Sequence, residues 1–142
     1  MNLGEFMKKI IHIILLILWL TLIFVFSNET GKESTKTSDL FTIKIVEKDS
    51  TYYRGFTKVV RKIAHLSEFA ILTFLIYLVI NDYPFRNKYI ITLLLSLLVS
   101  TLDEIHQLFI PLRSGTFIDV SIDWLAILIT ICLIIIRTKK EA

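Results

Sequence analysis

Residues Thr101–Ser121, TLDEIHQLFIPLRSGTFIDVS, lie where two apolar segments meet and decide how the rest of the chain is interpreted. The stretch contains three carboxylates, a histidine and an arginine, and Asp123 places one more carboxylate inside the second apolar segment. A charge at membrane depth costs about 2.5–3.5 kcal/mol on insertion scales, so such residues usually have a role and a partner. Pro111 and Gly115 break the chain here and predict a tight turn over 110–116.

The composition indicates that lipid surrounds much of the chain. Of the 142 residues, 54% are hydrophobic, and the mean hydropathy is +0.67. A soluble domain of this size exposes too much surface to bury so many apolar side chains. We therefore expect an all-α polytopic membrane protein. The net charge of +3 favours contact with anionic lipid headgroups over nucleic acid.

Four segments are long and apolar enough to be transmembrane helices. We predict spans over about 10–26, 63–80, 89–109 and 117–136 in a single domain of residues 1–142, with a loop over 27–62. The end of that loop predicts an interfacial amphipathic helix before the second span, because apolar and basic residues alternate there with helical periodicity. Its apolar face would hold Tyr52, Phe56, Val59, Val60 and Ile63, and its basic face Arg54, Lys58, Arg61 and Lys62.

The distribution of basic residues predicts the orientation in the cell membrane. Four spans put both termini on one side, together with the short loop between the second and third spans. The basic residues on that side are Lys8, Lys9, Arg86, Lys88, Arg137, Lys139 and Lys140. The positive-inside rule makes this side cytoplasmic, and the long loop over 27–62, which has mixed charges, can be extracytoplasmic because long loops translocate largely regardless of charge.

The ionisable residues of three spans are predicted to lie at one depth. At a rise of ~1.5 Å per residue, His65 lies roughly 22 Å from the cytoplasmic end of its helix. Asp103 lies about 21 Å and Asp119 about 26 Å from the cytoplasmic ends of theirs. The remaining two thirds of each helix is almost purely aliphatic. The sequence thus predicts a polar pocket that opens to the outside above a dry base.

The pocket residues suit several kinds of chemistry. A carboxylic acid and a carboxylate can share proton transfer, and carboxylates can carry protons or ions through a membrane. The candidate catalytic residues are His65, Glu68, Asp103, Glu104 and Asp119. The candidate binding residues are Arg61, Lys62, Gln107, Arg113 and Asp123. Carboxylates with a histidine can also hold a divalent metal, for which the candidate ligands are His65, Asp103 and Asp119.

One structural alternative to a functional pocket remains open, and two histidines have no assigned role in the pocket. The acids of the last two spans could instead pair with Arg113 and Lys62 as an interhelical clasp that fixes packing. His106 could join the pocket or face the headgroups, and His12 is interpreted as incidental. We find no Walker loop, nucleophile elbow, CxxC or HExxH motif, so nucleotide-binding, serine-hydrolase and zinc-protease functions have no support.

Two strings of residues together resemble the VanZ-like family of small bacterial membrane proteins. The first is Lys62-x-x-His65-x-x-Glu68-Phe69, and the second is Asp103-Glu104-x-x-Gln107-x-Phe109-x-Pro111-x-Arg113-x-Gly115-x-x-x-Asp119-Val120. Phe26-Ser27 at the end of the first span also fits the family pattern. The resemblance covers nearly the whole chain. It departs at Asp123, where the family usually has Asn, at Ala126, where Gly is common, and at Glu29, where Gln is frequent.

The resemblance implies a cell-envelope role, because the founding member is associated with low-level resistance to teicoplanin-type glycopeptides. We expect the partner to be a membrane lipid with an anionic headgroup or an isoprenoid phosphate, bound or modified in the pocket. Two alternatives are a proton- or ion-coupled transporter element and a non-catalytic membrane interaction protein. The extra acid at Asp123 adds negative charge to the pocket and cautions against assigning the resistance role to this member.

Overall fold

The computed structural model describes residues 2–42, 52–112 and 117–140. These residues form five α-helices and no strand, namely α1 (Leu3–Ser27), α2 (Gly31–Thr42), α3 (Tyr53–Asn81), α4 (Lys88–Gln107) and α5 (Phe117–Lys140). All but α2 are long and apolar enough to cross a membrane. The predicted all-α fold with four membrane-spanning helices is therefore confirmed.

The second helix, α2, lies within the segment that the sequence led us to describe as a loop. Its start is a capping box, because the Thr30 N–H and hydroxyl each donate to Glu33 Oε2 at 2.8 Å and the Glu33 N–H donates to Thr30 Oγ1 at 3.4 Å. The hydrogen bond from the Thr30 backbone N–H, followed by that from its side chain, lowers the pKa of the Glu33 carboxyl below its usual value. This capping signal was readable in the sequence and we missed it.

The amphipathic stretch before the second span is not a separate interfacial helix. It forms the first turns of α3, which runs without interruption from Tyr53 to Asn81. The basic residues Arg61 and Lys62 are therefore held rigidly on the same helix as His65. A continuous helix fixes their relative directions, with the four-residue spacing of Arg61 and His65 placing these two on one face.

The long helix α3 is the centre of the bundle and packs against each of the other four helices. Its side chains Phe69, Leu72 and Ile76 are buried together with Ile23 of α1 and Ile127 of α5. Many large apolar side chains remain on the outer surface of the bundle, as expected where lipid and not water covers the protein.

Contacts between helices define two ends of the bundle. At the end that carries both termini, which we call the basic end, His12 of α1 lies beside Asp82, which directly follows α3. At the opposite end, which we call the pocket end, Lys62 of α3 meets Asp119 of α5. The ionisable residues of three helices that we predicted at one depth lie at this pocket end.

A column of small hydroxyl residues on α4 connects the two ends. Thr92, Ser96 and Ser100 are fully buried, and each hydroxyl donates to a carbonyl of its own helix at 2.8, 2.8 and 3.2 Å. Small residues at this spacing let helices approach closely in a membrane. The base below the pocket is therefore less purely aliphatic than the sequence suggested, although its hydroxyls are satisfied within the helix.

Candidate functional site

A cavity of about 60 Å³ lies at the pocket end between α3, α4 and α5. Its size suits a few water molecules or one compact ion, since a water needs roughly 10–15 Å³ of such space. Seven of the predicted site residues line this cavity, which we call the central pocket: Arg61, Lys62, His65, Glu104, Gln107, Asp119 and Asp123. The apolar side chains Leu112 and Ile122 complete its wall.

Helical spacing explains why these side chains converge. Glu104 and Gln107 are three residues apart on α4, and Asp119 and Asp123 are four apart on α5, so each pair shares a helix face. Because α5 begins at Phe117, Asp119 lies near the mouth and Asp123 lies about one turn deeper. The pocket therefore has a partly exposed outer level and a buried inner level.

The inner level brings together one histidine and two carboxylates. One ligand-type atom from each of His65, Glu104 and Asp123 lies within 4.8 Å of the other two. Asp123 is 1% exposed and Glu104 is 4% exposed. The Oδ2 atom of Asp123 is buried and has no hydrogen-bond partner among the described residues. This inner group combines the donor types of a divalent-metal site or of an acid–base site.

The outer level is formed by an ion pair at the mouth. Lys62 Nζ lies 3.3 Å from Asp119 Oδ1, and their side chains are 46% and 34% exposed. An anion arriving from solution can reach this lysine without unfolding any helix, because both partners are accessible. The pair thus lies at the entrance to the inner group.

Two predicted acids lie beside the central pocket and do not line it. Asp103 Oδ2 accepts a hydrogen bond from Gln107 Nε2 at 2.6 Å, and both residues are buried. Glu68 Oε2 lies 3.9 Å from His65 Nδ1. Asp103 therefore orients Gln107, which lines the pocket. Glu68 lies next to His65 without lining the pocket. Arg113 falls outside the described residues.

A second cavity, of about 260 Å³, lies beside α3 and is lined by both apolar and polar side chains. Its wall combines residues of α2 and α3 with Phe26 and Glu29, and includes Glu68. Arg61 and His65 line both cavities, so they form the partition between them. Sequence reasoning missed this side cavity because it depends on α2, whose position could not be predicted from the loop composition.

The other two histidines lie outside both cavities. His106 Nε2 is 3.2 Å from Asn28 Oδ1, and its ring stacks on Phe24 with centroids 5.5 Å apart. His12 Nδ1 is 2.6 Å from Asp82 Oδ2 at the basic end. His12, which the sequence led us to interpret as incidental, thus forms a close polar contact between α1 and the residue that follows α3.

Comparison with known proteins gives the family. The model of the VanZ/LLP1 family matches residues 12–138, which is nearly the whole chain. The chain belongs to the VanZ/LLP1 family. Neither the curated proteins nor the solved structures gave a match. With its four apolar helices, this VanZ/LLP1 protein is a multi-pass membrane protein, and the resemblance drawn from its two residue strings is confirmed.

Proposed function

We propose that this VanZ/LLP1 protein binds the phosphate-bearing headgroup of an anionic lipid or lipid-linked precursor in the central pocket. The observation that carries the proposal is the placement of Arg61 and Lys62 on consecutive positions of α3, both in the wall of one small cavity. Guanidinium and ammonium groups bind phosphate oxygens through charge-assisted hydrogen bonds, which are roughly twice as strong as neutral ones.

The exposure of the Lys62–Asp119 pair supports an entry step. Incoming phosphate competes with the Asp119 carboxylate for Lys62 at 3.3 Å, and the pair is exposed enough for water to solvate the released carboxylate. Arg61 then holds the phosphate from the side of the partition. The neighbouring side cavity would receive the first part of a lipid chain against its apolar side chains Phe26, Val60 and Ala64.

The proposed orientation puts both termini in the cytoplasm and the central pocket towards the outer face of the cell membrane. It is supported by the basic residues near the termini and by Arg86 and Lys88 at the same end of the bundle. A pocket at the outer leaflet would meet lipid-linked precursors of the envelope. A change in that pool is the route by which such a protein would affect sensitivity to teicoplanin-type drugs.

The transporter alternative has less support. Between Lys88 and Asp103 on α4, and between Glu68 and Asp82 on α3, the chain carries no His, Lys, Arg or carboxylate. The buried hydroxyls on α4 donate to their own backbone rather than to one another. Flux through proteoliposomes that depends on a pH gradient and disappears in Asp103→Asn would favour transport over lipid binding.

Binding of short-chain anionic lipids to the purified full-length protein tests the proposal. Phosphatidic acid and an isoprenyl phosphate are titrated in detergent with EDTA present, and phosphatidylcholine of matched chain length serves as the zwitterionic control. We expect Lys62→Ala and Arg61→Ala each to raise Kd about tenfold, the effect of losing one charge-assisted hydrogen bond. Arg86→Ala, an exposed arginine at the basic end, should leave Kd unchanged.

The two lipids distinguish the sources of phosphate. Tighter binding of isoprenyl phosphate would assign the pocket to lipid-linked precursors, whereas tighter binding of phosphatidic acid would assign it to phospholipids. Equal Kd values for anionic and zwitterionic lipids, or wild-type affinity in both pocket variants, would contradict the proposal.

A further inference from the structure

We infer that His65, Glu104 and Asp123 form a binding site for a divalent cation of the Zn²⁺ or Mn²⁺ type at the inner level of the central pocket. The three residues come from α3, α4 and α5, so the site would join the three helices that enclose the pocket. This set differs from the ligands suggested by sequence alone, of which it retains only His65.

The distances between the ligand-type atoms suit a metal centre. They lie within 4.8 Å of one another. Bonds of 2.0–2.1 Å in tetrahedral geometry require donor atoms about 3.3 Å apart. Metal binding would therefore draw the three donor atoms closer by side-chain rotation, and each donor lies at the end of a rotatable side chain.

The burial of Asp123 independently indicates a ligand. Its Oδ2 atom is buried without a hydrogen-bond partner among the described residues, while the residue itself is 1% exposed and lines the cavity. A carboxylate in such a place normally pairs with a cation or coordinates a metal. Two described basic residues line the pocket: Lys62 pairs with Asp119 at the mouth, one helical turn away, and Arg61 forms no ion pair with Asp123 among the described residues.

The donor set selects the kind of cation. An imidazole nitrogen favours Zn²⁺ and related transition metals, whereas carboxylates also suit Mn²⁺. Three protein ligands leave coordination positions open, as in catalytic metal sites. Those positions would face the roughly 60 Å³ of the central pocket, where a water or a phosphate oxygen fits.

The site would complete the lipid-binding pocket. A metal on the inner group and the two cations on α3 would hold a phosphate from opposite sides. This role rests on the proposed lipid function, whereas the metal site itself is tested without lipid. Lipid binding measured in EDTA tests the basic residues alone, so failure of either proposal can be recognised separately.

Metal content of the full-length protein in detergent provides the first test. After treatment with EDTA, the protein is reloaded with Zn²⁺ or Mn²⁺, desalted and measured by inductively coupled plasma mass spectrometry. We expect about one metal per chain. Asp123→Asn and Glu104→Gln, which preserve side-chain shape, should weaken affinity at least tenfold, since even loss of groups that only orient ligands costs 10–100-fold.

A carboxylate outside both cavities supplies the control. Glu5→Gln removes an equal charge from the exposed first turn of α1, and we expect it to retain the metal. Wild-type protein that binds neither metal would overturn the inference. So would Asp123→Asn and Glu104→Gln variants that bind with wild-type affinity.

A second measurement starts from the wild-type protein, so it tests the site even where a variant fails to fold. Pulsed electron paramagnetic resonance of the Mn²⁺-loaded wild type should show a nitrogen coupling from a directly bound imidazole. The coupling should persist in His106→Ala, whose ring lies outside the pocket, and should disappear in His65→Ala. Absence of the coupling in wild type, or its loss in His106→Ala, would assign the metal to a different place and refute the site.

Discussion

Each end of the bundle holds a histidine beside acidic side chains. The two arrangements differ in the distance between the histidine and its nearest acid, and in the number of acids relative to basic partners. At the basic end, His12 Nδ1 lies 2.6 Å from Asp82 Oδ2, and Lys8 Nζ approaches the same carboxylate at 3.9 Å. At the pocket end, His65 lies 3.9 Å from Glu68 and shares a 4.8 Å cluster with two further carboxylates. The first arrangement pairs one acid with basic partners, whereas the second leaves an excess of acids around a cavity.

This difference shows how the same residue types serve packing at one end and ligand binding at the other. Removing one partner of a buried polar pair destabilises the protein, because it leaves the other buried group without compensation. A cluster in which acids outnumber the nearby bases stores unfavourable electrostatic energy, which an incoming cation or proton can release. Substitutions at the two ends test whether stability resides at the basic end and ligand affinity at the pocket end.

The largest loss of stability is expected at the basic end. His12→Ala should lower the free energy of unfolding by about 3 kcal/mol, because it leaves the buried Asp82 carboxylate with only a largely exposed lysine 3.9 Å away. Unfolding by SDS in mixed micelles measures this change. Lys8→Ala is the control and should cost less than about 1 kcal/mol, since that lysine is largely exposed. Equal effects of the two substitutions would contradict the comparison.

A smaller loss is expected from a neutral contact near the pocket. The Trp19 indole N–H donates to the Glu68 carbonyl at 3.0 Å and joins α1 to α3. Trp19→Phe keeps an aromatic ring but removes this donor, so unfolding should become easier by about 1 kcal/mol. Trp124→Phe on α5 is the matched control in the same assay. A loss as large as that of His12→Ala would mean that α1 is anchored mainly at the pocket end.

The sequence predicted the position of each site residue along its helix axis. It did not predict the direction in which each side chain points around that axis. Successive residues point about 100° apart, so Asp103 and Glu104 differ little in depth yet face different neighbours. The structure directs Glu104 into the inner group and Asp103 to Gln107. Choosing between them required the packing of three helices, which no single-helix pattern contains.

Contacts between segments that are distant in the chain could not be predicted from the sequence either. His12 and Asp82 are 70 residues apart in the chain, and no local motif around either residue indicates the other as its partner. The four apolar spans, by contrast, were predictable because hydrophobic length is a property of each segment alone. The side cavity could not be predicted because it needs α2 to fold against α3.

The pocket end should respond to charge removal in the opposite direction from the basic end. In metal-free protein, Asp123→Asn should leave stability unchanged or raise it by about 1 kcal/mol, because it replaces a buried ionisable side chain in a cluster rich in acids with one that stays uncharged. The measurement is SDS unfolding with EDTA present. A loss comparable to that of His12→Ala would indicate that the cluster is an interhelical clasp, as in the structural alternative.

The smallest effect is expected at the mouth of the central pocket. The Lys62–Asp119 pair is 3.3 Å apart but about half exposed on the lysine side, so water competes for both charges. A double-mutant cycle of Lys62→Ala and Asp119→Ala should give a coupling energy below about 0.5 kcal/mol. Coupling of 2 kcal/mol or more, on the order of a desolvated pair, would mean that the mouth is locked in the same way as His12–Asp82. A weak coupling combined with a large loss of lipid affinity in Lys62→Ala would place the function of this lysine in binding and not in holding α3 to α5.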